Sequence, residues 1–318
     1  IYLYAFSIHH TNATRNCKNW YYLCPKFPLS VFNTIANYFS LIKFSHTIFA
    51  MPFAMIGFFM GYSYQQDIPF AKIFIAVILC MVFARSAAMA FNRYIDERFD
   101  KLNARTAIRE IPAGIIQKKH ALWFVIVSCV LFVLTTFFIN QICFYLSPIA
   151  LFVILFYSYT KRFTPLCHLV LGLGLSLAPI GAFLAVTGYF APLPLLFSAI
   201  VFTWVSGFDI LYALQDEEFD KAHQLNSIPV LLGRKNALFV AKLLHFVTAL
   251  LAIYIGYFFM HNMYYYIGLV LFVGLLFFQH TLVKPSDISK VNLAFGTTNG
   301  IASLLFALFV ILSIFFAP

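Results

Sequence analysis

Residues 70–100 read FAKIFIAVILCMVFARSAAMAFNRYIDERFD, and this stretch decides the class of fold. The segment 70–91 is almost wholly apolar and is long enough to cross a bilayer, which requires about 20 residues of α-helix. Asn92, Asp96 and Asp100 follow directly, four residues apart, so they share one face if the helix continues. The stretch therefore predicts a transmembrane helix whose end carries a row of oxygen-bearing side chains.

The composition of the whole chain supports a membrane protein. Of the 318 residues, 62% are hydrophobic and only 10% are charged, whereas a soluble domain carries about 25% charged residues. The net charge is +10, but the basic residues lie in short gaps between apolar runs. That placement is typical of membrane orientation signals and not of a nucleic-acid-binding surface.

Nine apolar runs are long enough to be transmembrane helices, and they predict an all-α polytopic membrane protein around a central cavity. We expect a transmembrane domain over residues 38–318, preceded by a poorly ordered N-terminal tail at 1–37 that lacks apolar periodicity. The predicted spans are 45–63, 70–91, 121–139, 143–160, 168–189, 192–213, 237–259, 263–283 and 291–316.

The basic residues predict which side of the membrane each loop occupies. Eighteen of the 21 Lys and Arg residues fall in the N-terminal segment or in the loops after the even-numbered spans. Cytoplasmic loops carry an excess of Lys and Arg. The even-numbered spans are therefore predicted to end in the cytoplasm.

Nine of the eleven acidic residues form two clusters on this predicted cytoplasmic side. The first follows span 2, and the second, which contains Asp209, Asp216 and Asp220, lies around the end of span 6. Asp209, Asp216 and Asp220 are also spaced to share one helix face, although like charges at such spacings destabilise a helix. Ordinary solvated helix ends would explain the neighbouring Glu residues, but not stacked aspartates. Carboxylates in a row indicate a hard cation, in particular Mg²⁺, which proteins bind through carboxylates and substrate phosphates.

The two acidic loops also resemble each other. Each contains two aspartates four residues apart, then Ile-Pro (111–112 and 228–229), then a basic pair before the next apolar run. The two motifs are separated by 120 residues and four spans. This pattern predicts two related four-helix halves plus a ninth helix.

A basic pair, Lys161 and Arg162, closes span 4 on the same predicted face, within the segment YSYTKRFT at 157–164. The pair can be read as an orientation signal. Next to two carboxylate clusters, it could also neutralise a diphosphate. Lys43 and His46, near the start of span 1, are weaker candidates for the same task.

At these residues the chain resembles the UbiA family of intramembrane aromatic prenyltransferases. The first motif of that family appears as Asn92, Asp96 and Asp100 followed by Arg105, Thr106 and Arg109, and the second as Asp209, Tyr212, Ala213, Asp216 and Asp220. The Tyr157–Thr164 segment is also similar, and the resemblance covers about residues 38–316. One departure is that Arg109 is followed by Glu110, where many members have proline.

The resemblance implies a Mg²⁺-dependent enzyme that transfers a polyprenyl group from polyprenyl diphosphate to an aromatic ring. It implies metal binding by Asn92, Asp96, Asp100, Asp216 and Asp220, with Asp209 as a further ligand or the base that removes the ring proton. Substrate binding would fall to Asn92, Arg105, Arg109, Tyr157, Lys161, Arg162 and Tyr212. Phe91, Tyr94, Tyr157 and Tyr212 are candidate aromatic faces for an allylic cation.

The resemblance further implies that the acceptor is 4-hydroxybenzoate, in quinone biosynthesis. A naphthoate or related precursor of menaquinone is the alternative acceptor. Such an enzyme would lie in a bacterial inner membrane with its active-site loops facing the cytoplasm, and nothing in the sequence indicates a nucleic acid or an obligate protein partner. A function of a different class, secondary transport, is also compatible with intramembrane acids and an internal repeat.

Overall fold

The computed structural model describes residues 29–43 and 50–316, with side chains described from residue 34 onward, and the polypeptide in these ranges is helical without any β-strand. Two irregular turns interrupt the helices, a 3-10 turn at Leu214–Asp216 and a π-helical turn at Leu293–Thr298. The helices are α1 (Leu29–Leu41), α2 (Met51–Tyr64), α3 (Phe70–Leu102), α4 (Lys118–Phe137), α5 (Gln141–Thr160), α6 (Cys167–Thr187), α7 (Pro192–Ala213), α8 (Glu217–Ala222), α9 (Ile228–Phe258), α10 (Met263–Leu282) and α11 (Asn299–Phe316).

Eight helical segments within the described ranges are long and apolar enough to cross a membrane. They match the second to ninth predicted spans, and the protein is an integral membrane protein. The first predicted span, 45–63, corresponds to α2, whose described part has 14 residues; residues 45–49 lie outside the described ranges. The predicted boundary between the tail and the domain, at residues 37 and 38, falls inside α1 and stays a prediction.

Helix α3 is longer than the span predicted for it. It has 33 residues, which corresponds to about 50 Å at 1.5 Å per residue, whereas the hydrocarbon core of a bilayer is about 30 Å thick. The last turns of α3 therefore extend beyond the apolar layer. Asn92, Asp96 and Asp100 lie on these turns, which explains how one helix can be both apolar and acidic.

The helices pack closely where small residues remove the steric barrier. A Cβ atom added to Gly57 of α2 would lie 2.0 Å from the carbonyl oxygen of Pro179 in α6, so only glycine allows this approach. Close backbone contact through small residues is typical of membrane helix pairs. The main core lies between α2, α6, α7, α9, α10 and α11 and is rich in aromatic rings, including Phe53, Trp204, Phe272 and Phe306.

The predicted repeat has a counterpart in two ion pairs. Glu97, next to the first aspartate of one motif, pairs with Lys118 at the start of α4 at 2.9 Å. Glu217, at the same place in the second motif, pairs with Arg234 near the start of α9 at 2.6 Å. In both halves, an ion pair thus ties the acid-bearing segment to the helix that follows the loop. These glutamates behave as mixed-charge helix ends, as the sequence predicted.

Candidate active site

The first acidic segment presents its polar side chains to one side because it stays helical. Asn92 and Asp96 lie one turn apart on α3, and the Asn92 amide donates a hydrogen bond to Asp96 Oδ2 at 2.9 Å. Asp100, a further turn on, is buried. The helical spacing that the sequence predicted is therefore present here.

The second acidic segment differs from the single helix that the spacing predicted. Helix α7 ends at Ala213, a 3-10 turn covers Leu214–Asp216, and the short helix α8 begins at Glu217. Asp209 thus lies on α7, whereas Asp216 and Asp220 lie in the 3-10 turn and α8. A 3-10 turn is wound more tightly than an α-helix, which changes the directions of the side chains that follow it.

All twelve predicted site residues line one cavity of about 570 Å³ between the two acidic segments. The cavity also contains Lys43, whereas His46 lies outside the described ranges. Of the four aromatic candidates, Tyr157 and Tyr212 line the cavity and Phe91 and Tyr94 do not. The twelve residues are Asn92, Asp96, Asp100, Arg105, Arg109, Tyr157, Lys161, Arg162, Asp209, Tyr212, Asp216 and Asp220.

Arg105 connects the loop after α3 to the second acidic segment. Its guanidinium donates to both carboxylate oxygens of Asp216, at 2.8 and 2.7 Å. It also donates to the Tyr212 hydroxyl at 3.2 Å. Burial acts to lower the pKa of Arg105, but the hydrogen bonds and charge of Asp216 outweigh it, so the pKa is raised above its usual range. Arg105 therefore stays cationic in the cavity.

Two further cations come from the segment that follows α5. Arg162 donates to Asp96 Oδ1 at 2.8 Å, and Lys161 pairs with Asp220 at 2.7 Å. Burial acts to lower the pKa of Lys161, but the charge of Asp220 more than offsets this, and the pKa is raised. Neighbouring residues of one loop thus contact both acidic segments.

The remaining two aspartates each have one polar partner. Arg109 donates to Asp100 at 2.6 Å. The ring nitrogen Nδ1 of His168 lies 2.6 Å from Asp209 Oδ2. His168 lies on α6, is buried, and lines the same cavity. The sequence motifs do not include His168, since a lone histidine at the start of an apolar run carries no specific signal.

Arg85 is a second residue of the cavity that the sequence motifs did not include. It lies on α3 two turns before Asn92, and its Nε atom is buried without a hydrogen-bond partner. Arg85 lines both the polar cavity and a second, largely apolar cavity of about 340 Å³, and Tyr157 also lines both. A signal did exist, because an ionisable residue within a transmembrane run is by default a candidate functional residue.

Glu110, which replaces the proline of many family members, is buried at the edge of the polar cavity. It accepts a hydrogen bond from the hydroxyl of Ser40 on α1. The second carboxylate oxygen of Glu110 is buried without a hydrogen-bond partner. This unusual residue therefore links α1 to the loop that carries Arg105 and Arg109.

The donor chemistry of the site suits a hard cation. Two buried carboxylate oxygens, Asp100 Oδ2 and Asp220 Oδ1, have no hydrogen-bond partner. Among residues 29–43 and 50–316, however, no three His, Cys, Asp or Glu side chains are close enough to hold one metal ion. Each aspartate of the site instead contacts Arg, Lys or His. A Mg²⁺ ion held here would thus need additional oxygen ligands, and substrate phosphates commonly provide them.

The comparison with known protein families agrees with these features. Residues 50–309 match the UbiA prenyltransferase family. The chain belongs to this family. It is therefore a prenyltransferase, and the family resemblance inferred from the two aspartate motifs is confirmed.

This UbiA-family chain has bacterial relatives of similar length. The 4-hydroxybenzoate octaprenyltransferase of Tolumonas auensis is 32% identical over 223 residues, which cover 70% of this chain and 78% of that enzyme. The enzyme of the same name from Francisella tularensis subsp. novicida is 30% identical over 247 residues, covering 77% of this chain and 85% of the relative.

Solved UbiA structures share the fold. An apo UbiA homologue from Aeropyrum pernix K1 is 28% identical and superposes with a TM-score of 0.71, covering 85% of this chain and 96% of the homologue. A UbiA homologue from Archaeoglobus fulgidus, bound to DMAPP and Mg²⁺, is 19% identical with a TM-score of 0.70, covering 87% and 99% of the two chains. The second match concerns the fold alone.

Proposed function

We propose that this prenyltransferase uses Mg²⁺ to transfer a polyprenyl group from polyprenyl diphosphate to 4-hydroxybenzoate, in quinone biosynthesis. The observation that carries the proposal is the junction of two cavities at Arg85 and Tyr157. One cavity is lined by cations and carboxylates and the other is almost wholly apolar. A lipid diphosphate likewise consists of a charged diphosphate group joined to an apolar chain.

The polar cavity supplies the binding site for the diphosphate. Arg105, Lys161 and Arg162 are cationic donors within it, and each is held in position by an aspartate. Arginine and lysine bind phosphate oxygens through charge-assisted hydrogen bonds. A substrate diphosphate with bound Mg²⁺ would compete for these ion pairs, with the metal taking the carboxylates and the phosphates taking the cations.

The apolar cavity supplies the binding site for the isoprenoid chain. It is bounded by α3, α4, α5 and α6, and residues such as Val77, Val153 and Ala178 line it. Its volume of about 340 Å³ lies at the lower end of the range for pockets that hold drug-sized ligands. The cavity would thus enclose the part of the chain nearest the diphosphate, while the remainder of a long polyprenyl chain lies in the bilayer.

Arg85 supports an acceptor that carries a carboxylate. A guanidinium at this depth in the membrane domain is costly unless an anion meets it, and its Nε atom has no protein partner. The carboxylate of 4-hydroxybenzoate would provide that anion. A naphthoate or related aromatic acid is the alternative acceptor, since it carries the same charged group.

The chemistry follows from the residues that surround the two substrates. When bound, Mg²⁺ neutralises charge that develops on the leaving diphosphate, and Asn92, Asp96, Asp100, Asp216 and Asp220 are the residues that would hold it. Arg105, Lys161 and Arg162 stabilise the same developing charge through fixed hydrogen bonds. Asp209, oriented by His168, is available to accept the proton that the acceptor ring loses. The apolar walls exclude water from the allylic cation.

Secondary transport, the function of a different class, is not supported. The chain belongs to a family of transferases. The carboxylates of the site lie at the ends of the long helix α3 and of α7, in the 3-10 turn that follows α7, and in α8. Ion sites of secondary transporters instead lie near the midplane of the bilayer. The distribution of Lys and Arg supports a cytoplasmic position for the site, and the bacterial relatives support a bacterial inner membrane.

The test is a transfer assay in membranes that contain the chain. A labelled polyprenyl diphosphate is incubated with Mg²⁺ and, in parallel, with 4-hydroxybenzoate, a hydroxynaphthoate, or the decarboxylated phenol. We expect label in the 4-hydroxybenzoate product and little with the phenol. Transfer to the naphthoate alone would replace the proposed acceptor by its alternative. Diphosphate release without transfer to any ring would contradict the proposed function.

A further inference from the structure

The last transmembrane segment reaches the active site through an irregular turn. Before α11 begins at Asn299, the chain forms the π-helical turn Leu293–Thr298, and Phe295 of this turn lines the polar cavity. Single π-helical turns within helices are rare and are frequently found at functional sites. The sequence motifs of the site gave no indication that this segment contributes to it.

Buried polar contacts hold the turn in place. Asn299 is fully buried, and its amide donates to the carbonyl oxygens of Ala294 and Phe295 at 3.0 and 3.1 Å. Its side-chain oxygen accepts a hydrogen bond from the indole of Trp204 at 3.0 Å. Irregular backbone within a membrane requires such compensation, because unsatisfied carbonyls are costly there. The position of Phe295 is thus fixed by a dedicated contact with α7.

The ring of Phe295 packs against that of Tyr212 in a tilted arrangement, with ring centroids 4.1 Å apart and an angle of 31° between the planes. The hydroxyl of Tyr212 is bound by Arg105, which in turn holds Asp216. The guanidinium carbon of Arg105 lies 5.8 Å from the centre of the Tyr212 ring, within the range of a cation–π contact. The aromatic pair therefore lies beside the proposed diphosphate site, and its Tyr212 ring already contacts a cation.

We propose that Phe295 and Tyr212 form the aromatic surface that stabilises the allylic cation during transfer. In this step the bond between C1 of the prenyl group and the diphosphate oxygen breaks, and its electron pair leaves with the diphosphate. The positive charge is shared between C1 and C3 until the acceptor ring attacks C1 and loses a proton to a base. The π faces of the pair attract this charge without reacting with it. The inference rests on the proposed prenyl transfer.

The experiment replaces Phe295 by phenylalanines with one, two and three ring fluorines. Fluorination withdraws electron density from the π face while it nearly preserves the size of the ring. We expect kcat to fall stepwise to about a tenth of the wild-type value, which corresponds to about 1.4 kcal/mol, within the range of cation–π contacts. KM for both substrates and the midpoint of thermal unfolding should stay unchanged.

Phe306 of α11, which follows the π-helical turn directly, provides the matched control. It is fully buried and stacks on Phe272 at 4.5 Å, so it has a similar aromatic neighbour, but it does not line the polar cavity. The same fluorinated series at Phe306 should leave kcat unchanged. If the enzyme is active and kcat does not change with the number of fluorines at Phe295, the inference is overturned and the proposed function still stands. Equal losses at both positions would also overturn it, since they indicate a packing effect.

Discussion

The guanidinium of Arg105 binds both carboxylate oxygens of Asp216, at 2.8 and 2.7 Å, and so joins loops that are 111 residues apart in the chain. One residue belongs to the first half of the repeat and the other to the second. Both residues line the polar cavity between the halves. Their contact also places a cation next to the aspartate that is proposed to hold Mg²⁺. When a diphosphate and Mg²⁺ bind, the guanidinium would bind the phosphate oxygens and the carboxylate would bind the metal.

Arg105→Met should weaken binding of the prenyl diphosphate. The lost bonds are charge-assisted, and such bonds contribute about 1.5–3 kcal/mol each, so we expect KM for the donor to rise roughly 10- to 100-fold. Arg105→Lys should have an intermediate effect, because lysine keeps the positive charge but lacks the planar guanidinium with its several fixed N–H donors. The exposed Arg98 on α3 provides the control. An equal effect of Arg98→Met would contradict a specific role for Arg105.

Asp96→Ala and Asp216→Ala should each lower kcat roughly 100- to 1,000-fold, since each removes a fixed group that acts on the charge of the leaving diphosphate. Both variants should still insert into membranes. The measurements are release of diphosphate and formation of prenylated product. Glu218→Ala is the matched control, because Glu218 lies in the second acidic segment and its side chain is 91% exposed. Full turnover by either aspartate variant would show that these residues do not hold the metal.

Removal of divalent metal should stop the reaction. The buried oxygens Asp100 Oδ2 and Asp220 Oδ1 lack hydrogen-bond partners, and hard cations such as Mg²⁺ take oxygen ligands of this kind. We therefore expect EDTA to abolish prenyl transfer and added Mg²⁺ to restore it, while addition of Ca²⁺ at the same concentration serves as the comparison. Undiminished transfer in EDTA would mean that the cations of the cavity suffice without a metal.

Arg85→Leu should act on the acceptor rather than on the donor. Loss of the proposed ion pair with a carboxylate should raise KM for 4-hydroxybenzoate roughly 10- to 100-fold and leave KM for the prenyl diphosphate nearly unchanged. Arg85→Lys, which keeps the charge, should retain more of the acceptor affinity. A rise in KM for the diphosphate alone would assign Arg85 to the other substrate.

Lys161→Gln should destabilise the protein by about 3–5 kcal/mol, because it leaves the buried carboxylate of Asp220 without a counter-charge. The double variant Lys161→Gln/Asp220→Asn should recover part of this loss, as contacting residues are not additive. The measurement is chemical unfolding in detergent. If the second substitution restores none of the lost stability, the result would contradict a direct pairing of Lys161 with Asp220.

The pH dependence of this effect has a definite sign. The pKa of Lys161 is raised in the folded protein, so its contribution to stability is fully present below the pKa of the unfolded state, about 10.4 for lysine. The contribution is lost only as the pH rises through the folded value. In the variant, the buried and unpaired carboxylate of Asp220 can take up a proton as the pH falls, which relieves part of the destabilisation. We therefore expect the difference in unfolding free energy between wild type and Lys161→Gln not to decrease from pH 6 to pH 9. A marked decrease at pH 9 would contradict the raised pKa.

The sequence determined the membrane environment, the family and the polar residues of the cavity. Long apolar runs must be helical in lipid, because every backbone group needs an internal hydrogen bond. The two motifs could be recognised because their aspartates and basic partners keep fixed local spacings, and all twelve predicted residues line one cavity. The prediction that regularly spaced aspartates share one helix face was wrong only where the tight turn Leu214–Asp216 replaced a continuous helix.

Only the tertiary structure decided which residues meet across the site. The pairs Arg105–Asp216, Arg162–Asp96 and His168–Asp209 join segments far apart in sequence, and no local periodicity encodes such distances. The same holds for Phe295, which reaches Tyr212 because the buried Asn299 stabilises a π-helical turn. Local hydrogen bonding and burial fix a helix from its own residues, whereas the partner of a charge or ring depends on how separate helices pack.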